Sequence, residues 1–252
     1  MKYYIAADVH GFYTEFHKSL DTAGYFTDPG PRKLIILGDL FDRGQEAVQM
    51  QDFILQLMAR DDVILIRGNH EDLFEEMVTV DLGLPVRHHK SNGTYSTALQ
   101  LTGYDRRQAF ERHLEFAAAA RRTPYYQQII PAAIDYYETA RYIFVHGWIP
   151  CIRESEGSFS HRSDWREATS AEWRQARWIN GMDAARSCTE EKTILCGHYH
   201  CSYGHSTYEH KGSEFGPDAD FSPYYGPGVI ALDACTAWSG AINILTLEDK
   251  KA

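Results

Sequence analysis

The sequence is poor in cysteine and has no long hydrophobic run. Its 252 residues include five cysteines, and no two of them form a Cys-x-x-Cys pair. An even cysteine framework is typical of secreted disulfide proteins, and clustered cysteines are typical of structural zinc sites. Neither is expected here, and the thiols are predicted to be reduced in a cytoplasmic protein. No segment approaches the ~20 consecutive apolar residues of a membrane-spanning helix.

Basic residues are also scarce relative to acidic ones. The chain has 25 lysines and arginines against 35 aspartates and glutamates, a formal net charge of −10. This balance argues against a surface that coats nucleic acid or binds an anionic membrane. It leaves a phosphate substrate open, because bound divalent ions can make a pocket locally positive. The first apolar run begins at the N-terminus and leads directly into a charged motif, so no removable signal peptide is expected.

The most informative stretch is a charged loop after an apolar run. Leu34 to Leu37 predicts a buried strand, and the loop from Gly38 to Gly44 carries Asp39, Asp42 and Arg43. Charged groups at the end of a buried strand are costly unless something holds them. A metal ion or a bound anion would do so, whereas a well-hydrated loop is the alternative for a single such motif.

The same arrangement occurs four more times. Each further copy is a short apolar run that ends in His, Asp or Asn beside glycine. These copies are Tyr3 to Ala7 before Asp8-Val9-His10-Gly11, Val63 to Ile66 before Gly68-Asn69-His70-Glu71, Tyr142 to Val145 before His146-Gly147, and Thr193 to Cys196 before Gly197-His198-Tyr199-His200. Ligands of open α/β sheets bind at the carboxyl edge of the strands. The five motifs therefore predict one shared site.

With these motifs the chain resembles the calcineurin-like metallophosphoesterases, specifically the phosphoprotein phosphatase branch. That branch includes bacterial and phage-type Ser/Thr phosphatases and diadenosine tetraphosphate hydrolases. The resemblance implies an α/β fold, a four-layer sandwich of two mixed β-sheets flanked by helices, formed by residues 1–252 as a single domain. A helical cap insertion is expected at about residues 80–130. Asn92-Gly93-Thr94 with Ser96-Thr97 resembles an Asn-Gly-Gly and Thr element of the branch, although the second glycine is missing.

The rest of the chain predicts alternating elements. Helices are expected over about 12–23, 45–59 and 170–179, after His70, and near 95–101, 105–120 and 124–130, whereas 85–94 and 152–170 are expected to be loops. A β-hairpin is expected at residues 136–145, and two late strands at 229–233 and 241–247 are expected to follow one another in a second mixed sheet. Residues 202–227 give no clear pattern.

The resemblance also implies a dinuclear metal centre with a shared carboxylate. It assigns Asp8, His10 and Asp39 to the first ion and Asp39, Asn69, His146 and His198 to the second. Mixed His, Asp and Asn ligands suit Mn, Fe or Zn better than Mg. Mn is the predicted ion, with Fe or Zn as alternatives. Gly197-His198-Tyr199-His200 departs from the Gly-His-Thr of the branch. Gly-His-x-His resembles the form found in the broader metallophosphoesterases, where the second histidine binds the first ion. That resemblance predicts His200 as a further ligand of the first ion, with a position outside the first ligand shell as the alternative.

The same resemblance gives three residues a catalytic role. His70 would protonate the leaving oxygen, Asp42 would orient His70 and keep it protonated, and Arg43 would bind the phosphate. Asn69 and His70 would also contact the substrate. The second phosphate-binding arginine of the branch is missing from its usual segment, so either Arg177 replaces it or the contact is absent.

The predicted function is hydrolysis of phosphomonoesters, as in Ser/Thr protein phosphatases, by direct attack of a hydroxide that bridges two metal ions. The alternative is hydrolysis of a dinucleoside polyphosphate or another nucleotide. A metal-binding regulatory protein without catalysis is a third interpretation, but it would be expected to lack His70 or Arg43, and both are present. The partner is thus a phosphorylated protein or a nucleotide, and the sequence does not determine the oligomeric state.

Overall fold

A computed structural model of the protein describes residues 1–155 and 158–249. The strands are β1 (Lys2–Ala6), β2 (Arg32–Ile36), β3 (Val63–Leu65), β4 (Tyr137–Glu138), β5 (Tyr142–Phe144), β6 (Ile152–Ser155), β7 (Ser158–Ser160), β8 (Thr193–Cys196), β9 (Tyr224–Gly226), β10 (Val229–Ala231) and β11 (Leu245–Glu248). The helices are α1 (Tyr13–Thr22), α2 (Ala47–Ala59), α3 (Asn69–Thr79), α4 (Arg87–Asn92), α5 (Thr94–Thr102), α6 (Arg106–Glu111), α7 (His113–Ala120), α8 (Ile130–Ala132), α9 (Ser170–Ala176), α10 (Gly181–Ala184), α11 (Cys201–Tyr208) and α12 (Thr236–Ser239). A π-helical turn covers Tyr125–Ile129, and a 3-10 turn covers Trp165–Glu167.

Two mixed sheets form the centre of the molecule. The first has the strand order β11-β1-β2-β3, and the second has the order β4-β5-β8-β10-β9. In the first sheet β1, β2 and β3 are parallel, and β11 is antiparallel to β1. In the second sheet β5, β8 and β10 are parallel, with β4 and β9 antiparallel at the two edges. The parallel strands of each sheet therefore end at a common edge.

Alternating side chains along the strands produce the layers. Tyr3 and Ile5 of β1 pack with Phe144 and Leu195 of the second sheet, which forms an apolar layer between the sheets. Tyr4, the neighbour of Tyr3 and Ile5, faces the other way into a core shared with α1, α2 and the helices that follow. A third cluster covers the outer face of the second sheet. The order helix, sheet, sheet, helix confirms the predicted four-layer α/β sandwich.

Several predicted elements differ from the structure. Residues 87–92, expected to be loop, form α4, and part of the 152–170 loop forms the two-stranded sheet of β6 and β7. Glu156 and Gly157 of that expected loop lie outside the described residues. The two late strands do not share a sheet, because β10 pairs with β8 and β11 pairs with β1. The early helices, the expected hairpin of β4 and β5, and β8 are confirmed.

A run of helices separates the first sheet from β4. The helices α4 to α7 lie between α3 and the π-helical turn, within the region predicted as the cap insertion. The last three residues of the predicted domain, Lys250 to Ala252, lie outside the described residues. Across residues 1–155 and 158–249, no helix has both the length and the hydropathy needed to cross a bilayer.

Candidate metal centre

Asp39 lies between two groups of ligand-type side chains. Its Oδ2 atom is 3.8 Å from His10 Nε2 and 3.7 Å from His70 Nε2. Its Oδ1 atom is 3.4 Å from His146 Nε2. The donor atoms of His10, Asp39 and His70 form one cluster, and those of Asp39, His146 and His198 form a second. The Asp39 carboxylate therefore belongs to both clusters, as expected of a ligand that bridges two ions.

Asn69 and His198 complete the second group. Asn69 Oδ1 is 2.8 Å from His146 Nε2, and the rings of His146 and His198 meet edge to face with 5.2 Å between their centroids. Asn69 and His70 are the first residues of α3, which begins directly after β3. The segments that follow β3, β5 and β8 therefore place their side chains at the same site as the segments that follow β1 and β2.

Backbone carbonyls fix the orientation of two histidines. His10 Nδ1 is 2.8 Å from the Phe41 carbonyl oxygen, and His146 Nδ1 is 2.6 Å from the Leu37 carbonyl oxygen. A carbonyl only accepts, so each Nδ1 carries the hydrogen, and the lone pair of the neutral ring is at Nε2, facing Asp39. Such outer hydrogen bonds are typical of metal-binding histidines.

Electrostatics keep two of these histidines neutral. Burial, together with the neighbouring His70 and Arg43, holds the pKa of His10 well below its usual value. Burial and the neighbouring His146 lower the pKa of His198 to about 3. Neutral imidazole is the form that binds a metal ion.

Three buried carboxylates create the need for a cation. Asp8, Asp39 and Asp233 are each at most 7% exposed. Burial, followed by the proximity of Asp233 and Asp39, raises the pKa of Asp8 well above its usual value. Burial likewise raises the pKa of Asp233. Divalent ions would compensate this negative charge, and the set of carboxylate, imidazole and amide donors fits first-row divalent metals.

Asp233 was missed as a site residue from the sequence. It follows β10, whose apolar residues lead into Leu232-Asp233 in the same way that the other strands lead into their motifs. Its carboxylate accepts a hydrogen bond from the Cys235 backbone N–H at 2.7 Å. The signal that could have found it is this repeated strand-then-carboxylate pattern, a sixth copy of the arrangement.

The backbone at the centre adopts an unusual conformation. Asp8, His10, Asp39 and His198 all have positive φ, between 48° and 66°. Non-glycine residues in the left-handed region cost free energy, and they cluster at functional sites. Gly197 allows β8 to come close to β1, because a Cβ atom there would overlap the Asp8 carboxylate.

His70 is bound to a carboxylate that has three donors. His70 Nδ1 lies 2.6 Å from Asp42 Oδ2, and the hydroxyls of Thr94 and Thr97 donate to the same carboxylate at 2.7 and 2.6 Å. Burial opposes a charge on His70, but Asp39 and the hydrogen bond to Asp42 outweigh it and raise the pKa to about 9. The His70 ring is therefore held as a proton donor whose Nε2 faces Asp39.

Thr94 and Thr97 give the Asn92-Gly93-Thr94 element a function that the sequence did not specify. Both hydroxyls belong to α5, and the Thr97 hydroxyl also accepts the Asp42 backbone N–H at 3.0 Å. Gly93 has φ +90°, and a Cβ atom at this position would overlap the backbone of Arg43. The helical insertion thus packs directly on the Asp42-Arg43 loop.

Arg43 presents an exposed guanidinium at this edge. It has no ion-pair partner among the residues that the structure describes. The carboxylates that could have neutralised it are engaged elsewhere, since Asp42 binds His70 and Glu46 binds Thr14. Its positive charge partly offsets the rise in the Asp8 pKa and contributes to the fall in the His10 pKa. Arg43 is positioned to receive an anion.

Glu71 holds the loops that carry Asp39 and Asn69 by hydrogen bonds, and this role was not predicted from the sequence. Its carboxylate is fully buried and accepts the backbone N–H groups of Gly68, Asp39 and Leu40 at 2.8 to 3.0 Å. The Tyr125 hydroxyl donates to it at 3.2 Å. Glu71 follows His70 in the sequence motif, and that position was its only signal.

The structure argues against a substrate role for Arg177. Its side chain is only 7% exposed, and Nη1 donates to Asp72 Oδ2 at 2.6 Å while Nη2 pairs with Asp135. Asp72 also accepts Arg67 Nε at 2.8 Å. Arg177 thus belongs to a buried ion network between α3 and the end of α9. The alternative that the second arginine contact is absent is the one that the structure favours.

His200 lies outside both ligand clusters. Its Nε2 is 2.6 Å from Glu214 Oε1, and its ring stacks on Tyr199 with 4.8 Å between centroids. Its charge influences Asp233, so it stands next to the centre. The structure brings Asp8, His10, Asp39, Asn69, His70, His146 and His198 together. Their predicted ligand and catalytic roles, like the ligand role of His200, stay predictions.

Comparison with known proteins identifies the family. The family model for calcineurin-like phosphoesterases matches residues 1–231. An asymmetrical bis(5'-nucleosyl)-tetraphosphatase PrpE of a Geobacillus species is 38% identical over 76 residues, which are 28% of this chain and 31% of the relative. The PrpE protein of Halalkalibacterium halodurans is 26% identical over 133 residues, 50% of this chain and 52% of the relative. The chain thus matches about half of the length of these relatives, or less.

A solved structure gives the same fold. The cold-active protein-tyrosine phosphatase of a psychrophilic Shewanella species superposes with a TM-score of 0.53, over 98% of this chain and 75% of that one. The sequence identity is 19%, so this likeness shows the fold alone.

Proposed function

The chain belongs to the calcineurin-like phosphoesterase family and is a phosphate-ester hydrolase, and we propose that its substrate is a nucleotide polyphosphate of the dinucleoside tetraphosphate kind. The observation that carries the proposal is a cavity in the helical insertion, lined by residues of α4, α5 and α6; α5 is the helix whose Thr94 and Thr97 contact Asp42. The relatives named as bis(5'-nucleosyl)-tetraphosphatases support the same substrate class.

The cavity has the chemistry of a nucleoside pocket. Its volume is about 390 Å³, within the usual range for small-molecule sites. It is lined by Pro85, Lys90, Tyr95, Ser96, Leu99, Arg106 and Phe110. Apolar and aromatic side chains suit a base, and the two cations suit a distal phosphate. The Tyr95 hydroxyl is buried and has no hydrogen-bond partner among the described residues, so a ligand atom would satisfy it.

The residues of the centre divide the work of hydrolysis. When bound, the two divalent ions of a dinuclear site, as the family uses, would lower the pKa of a water that acts as nucleophile and would neutralise the phosphate. Asp39 would be shared between the ions, with Asp8 and His10 on one side and Asn69, His146 and His198 on the other. Arg43 would bind the phosphate from the exposed side, and Asn69 would contact it as well. His70 would give its Nε2 proton to the leaving oxygen, with Asp42 holding the ring.

Three finer features belong to the same proposal. We propose Mn²⁺ as the resident ion, because the donors are a mixture of carboxylate, amide and imidazole. Residues of about 80–130 would act as the cap that shapes the substrate cleft within a single domain. A cytoplasmic location fits the five free thiols.

Phosphomonoester hydrolysis on a protein, the function first predicted from the sequence, is the second candidate. It needs the same ions, His70 and Asp42. The observation that favours it is the exposed Arg43 guanidinium, which can receive a phosphate on any carrier that reaches this edge.

Steady-state kinetics on three substrates test the proposal. Mn²⁺-loaded protein is expected to show a higher kcat/KM for diadenosine tetraphosphate than for a phosphoserine peptide or p-nitrophenyl phosphate. Arg106→Met should raise KM for the dinucleotide about 10-fold, the loss of one charged hydrogen bond, and leave KM for p-nitrophenyl phosphate unchanged. Arg107→Met, the exposed neighbour that pairs with Glu111, is the matched control. A preference for the peptide, unaffected by Arg106→Met, would establish the second candidate instead.

A further inference from the structure

We propose that Glu76, Asp81, His88 and His89 form a separate divalent-metal site, of the kind that takes Zn²⁺, between α3 and α4. One donor atom from each of the four lies within 4.8 Å of the others. The group shares no residue with the candidate metal centre. It is called the α3–α4 cluster below.

The distances within the cluster suit a shared ion. His88 Nε2 is 3.5 Å from Glu76 Oε1 and 4.0 Å from Asp81 Oδ2. Both separations are at or beyond the limit of a direct hydrogen bond. Ligands at about 2.0–2.2 Å from a tetrahedral zinc ion stand roughly 3.4 Å apart. Small movements of exposed side chains would therefore complete the coordination.

The two histidines converge although they are neighbours on a helix. Successive residues of an α-helix point about 100° apart, so their side chains do not normally face each other. Here the rings of His88 and His89 have their centroids 3.9 Å apart, and both point to Asp81. Two imidazoles and two carboxylates on one point form the N₂O₂ set that zinc accepts.

His89 is the buried member of the set, and among the described residues only one of its two ring nitrogens has a hydrogen-bond partner. Its side chain is 0% exposed, and its Nε2 is 2.7 Å from Asp81 Oδ2. In the part of the chain that the structure describes, its Nδ1 has no hydrogen-bond partner. Burial lowers its pKa, which favours the neutral form that binds metal. The half-exposed His88 and Glu76 leave a route for an ion from solvent.

An ion at this position would connect the insertion to the catalytic helix. Glu76 lies in α3, the helix that begins with Asn69 and His70. His88 and His89 lie in α4, which leads into Gly93 and Thr94, the residues that contact the Asp42-Arg43 loop. The site would therefore hold the insertion in place, and it does not depend on which substrate is hydrolysed.

Zinc binding in an Asp39→Asn background tests the site. This variant removes the carboxylate shared by the candidate metal centre and weakens zinc binding there, so that the zinc lost when His88→Ala is added reports on the α3–α4 cluster. We expect about one Zn²⁺ per chain, and a rise in Tm of roughly 5–10 °C at a zinc concentration 100 times Kd. Adding His88→Ala should weaken zinc binding at least 10-fold and abolish the rise.

The controls separate this site from others. His88 and Glu76 are partly exposed, so His88→Ala and Glu76→Gln are expected to fold, and each should weaken zinc binding. His17→Ala, at an exposed histidine of α1, should leave it unchanged. The inference is overturned if the Asp39→Asn protein binds no zinc, or if His88→Ala and Glu76→Gln leave the affinity as it was.

Discussion

Asp39 and Asp42 together favour the protonated form of His70, and Asp42 is the one that is hydrogen-bonded to the ring. Its carboxylate accepts hydrogen bonds from Thr94, Thr97 and His70, so its charge is fixed beside the ring. The neighbouring carboxylates raise the His70 pKa to about 9, which keeps the ring protonated at neutral pH. Divalent ions on Asp39 would weaken the attraction of that residue for the proton, and the hydrogen bond to Asp42 would remain.

Replacing Asp42 by asparagine should move the pH profile of the enzyme. A general acid works only below its pKa, so activity is lost as pH rises through that value. Asp42→Asn removes an opposite charge in direct contact, which should lower the His70 pKa by 1–3 units. The alkaline limb of kcat/KM for p-nitrophenyl phosphate should shift to lower pH by that amount. An unchanged limb would show that His70 is not the acid that the profile reports.

The same shift predicts how the metal-free protein responds to pH. The folded pKa of His70 is about 9, above its ordinary value of 6.5. The stabilisation is therefore complete below about pH 6.5 and is lost as pH rises through 9, an effect of the order of 3 kcal/mol. Denaturation by urea after chelation should show this loss in the wild type and a smaller one in His70→Asn. Parallel profiles for the two proteins would contradict the assignment.

The placement of the candidate ligands was predictable where a motif carries its own context. Asp8, His10, Asp39, Asn69, His146 and His198 each follow an apolar run, and the parallel sheets bring those ends together. The role of Arg177 was not predictable, because its partners Asp72 and Asp135 are distant in sequence. A free arginine and a buried ion pair look the same in one sequence.

At the scale of the element, the first turn of α3 is fixed by Glu71. The carboxylate holds three backbone N–H groups that belong to the loops after β2 and β3. Glu71→Gln puts an amide N–H₂ against some of these donors. We expect the free energy of unfolding to fall by about 3 kcal/mol and metal affinity to fall by 10–100-fold.

Chemical denaturation and metal titration of Glu71→Gln measure both effects. Glu111→Gln is the control, since it changes an exposed i, i+4 pair worth only about 0.3–0.5 kcal/mol. If Glu71→Gln behaved like Glu111→Gln, the carboxylate would not be what fixes these loops.

The two arginines should respond oppositely to the same substitution. Arg177→Met breaks a buried ion network that joins α3 to the end of α9, and should cost about 3 kcal/mol of stability. Arg43→Met removes an exposed charge, and should raise KM for the substrate while the unfolding free energy stays within about 0.5 kcal/mol of wild type. A stable Arg177→Met protein with a raised KM would restore the substrate role for Arg177.

Element boundaries were predictable where periodicity is strong. The helices after β1 and β2 appear where apolar residues recur at helical spacing. The turn-forming residues Ser91, Asn92 and Gly93 predict a loop where the structure has α4. In the structure Asn92 and Gly93 end this helix. That β10 and β11 lie in different sheets was not predictable, because alternation indicates which face of a strand is buried and not which sheet the strand joins.

The candidate metal centre takes its residues from both sheets. β1, β2 and β3 of the first sheet carry Asp8, Asp39 and Asn69, whereas β5 and β8 of the second carry His146 and His198. An apolar layer lies between the two sheets, and the carboxylates lie where the carboxyl ends of the parallel strands of both sheets come together. Ions bound there would hold both sheets and offset the repulsion among Asp8, Asp39 and Asp233.

We propose that the Asp39 carboxylate is shared by two divalent ions at the carboxyl ends of the two sheets. Electron paramagnetic resonance of the Mn²⁺-reconstituted protein tests it most directly, because ions about 3.5–4 Å apart are magnetically coupled. We expect an exchange-coupled signal that appears together with p-nitrophenyl phosphate turnover and disappears in Asp39→Asn. A fully active protein that shows only isolated Mn²⁺ ions, or one whose coupled signal survives Asp39→Asn, would contradict it.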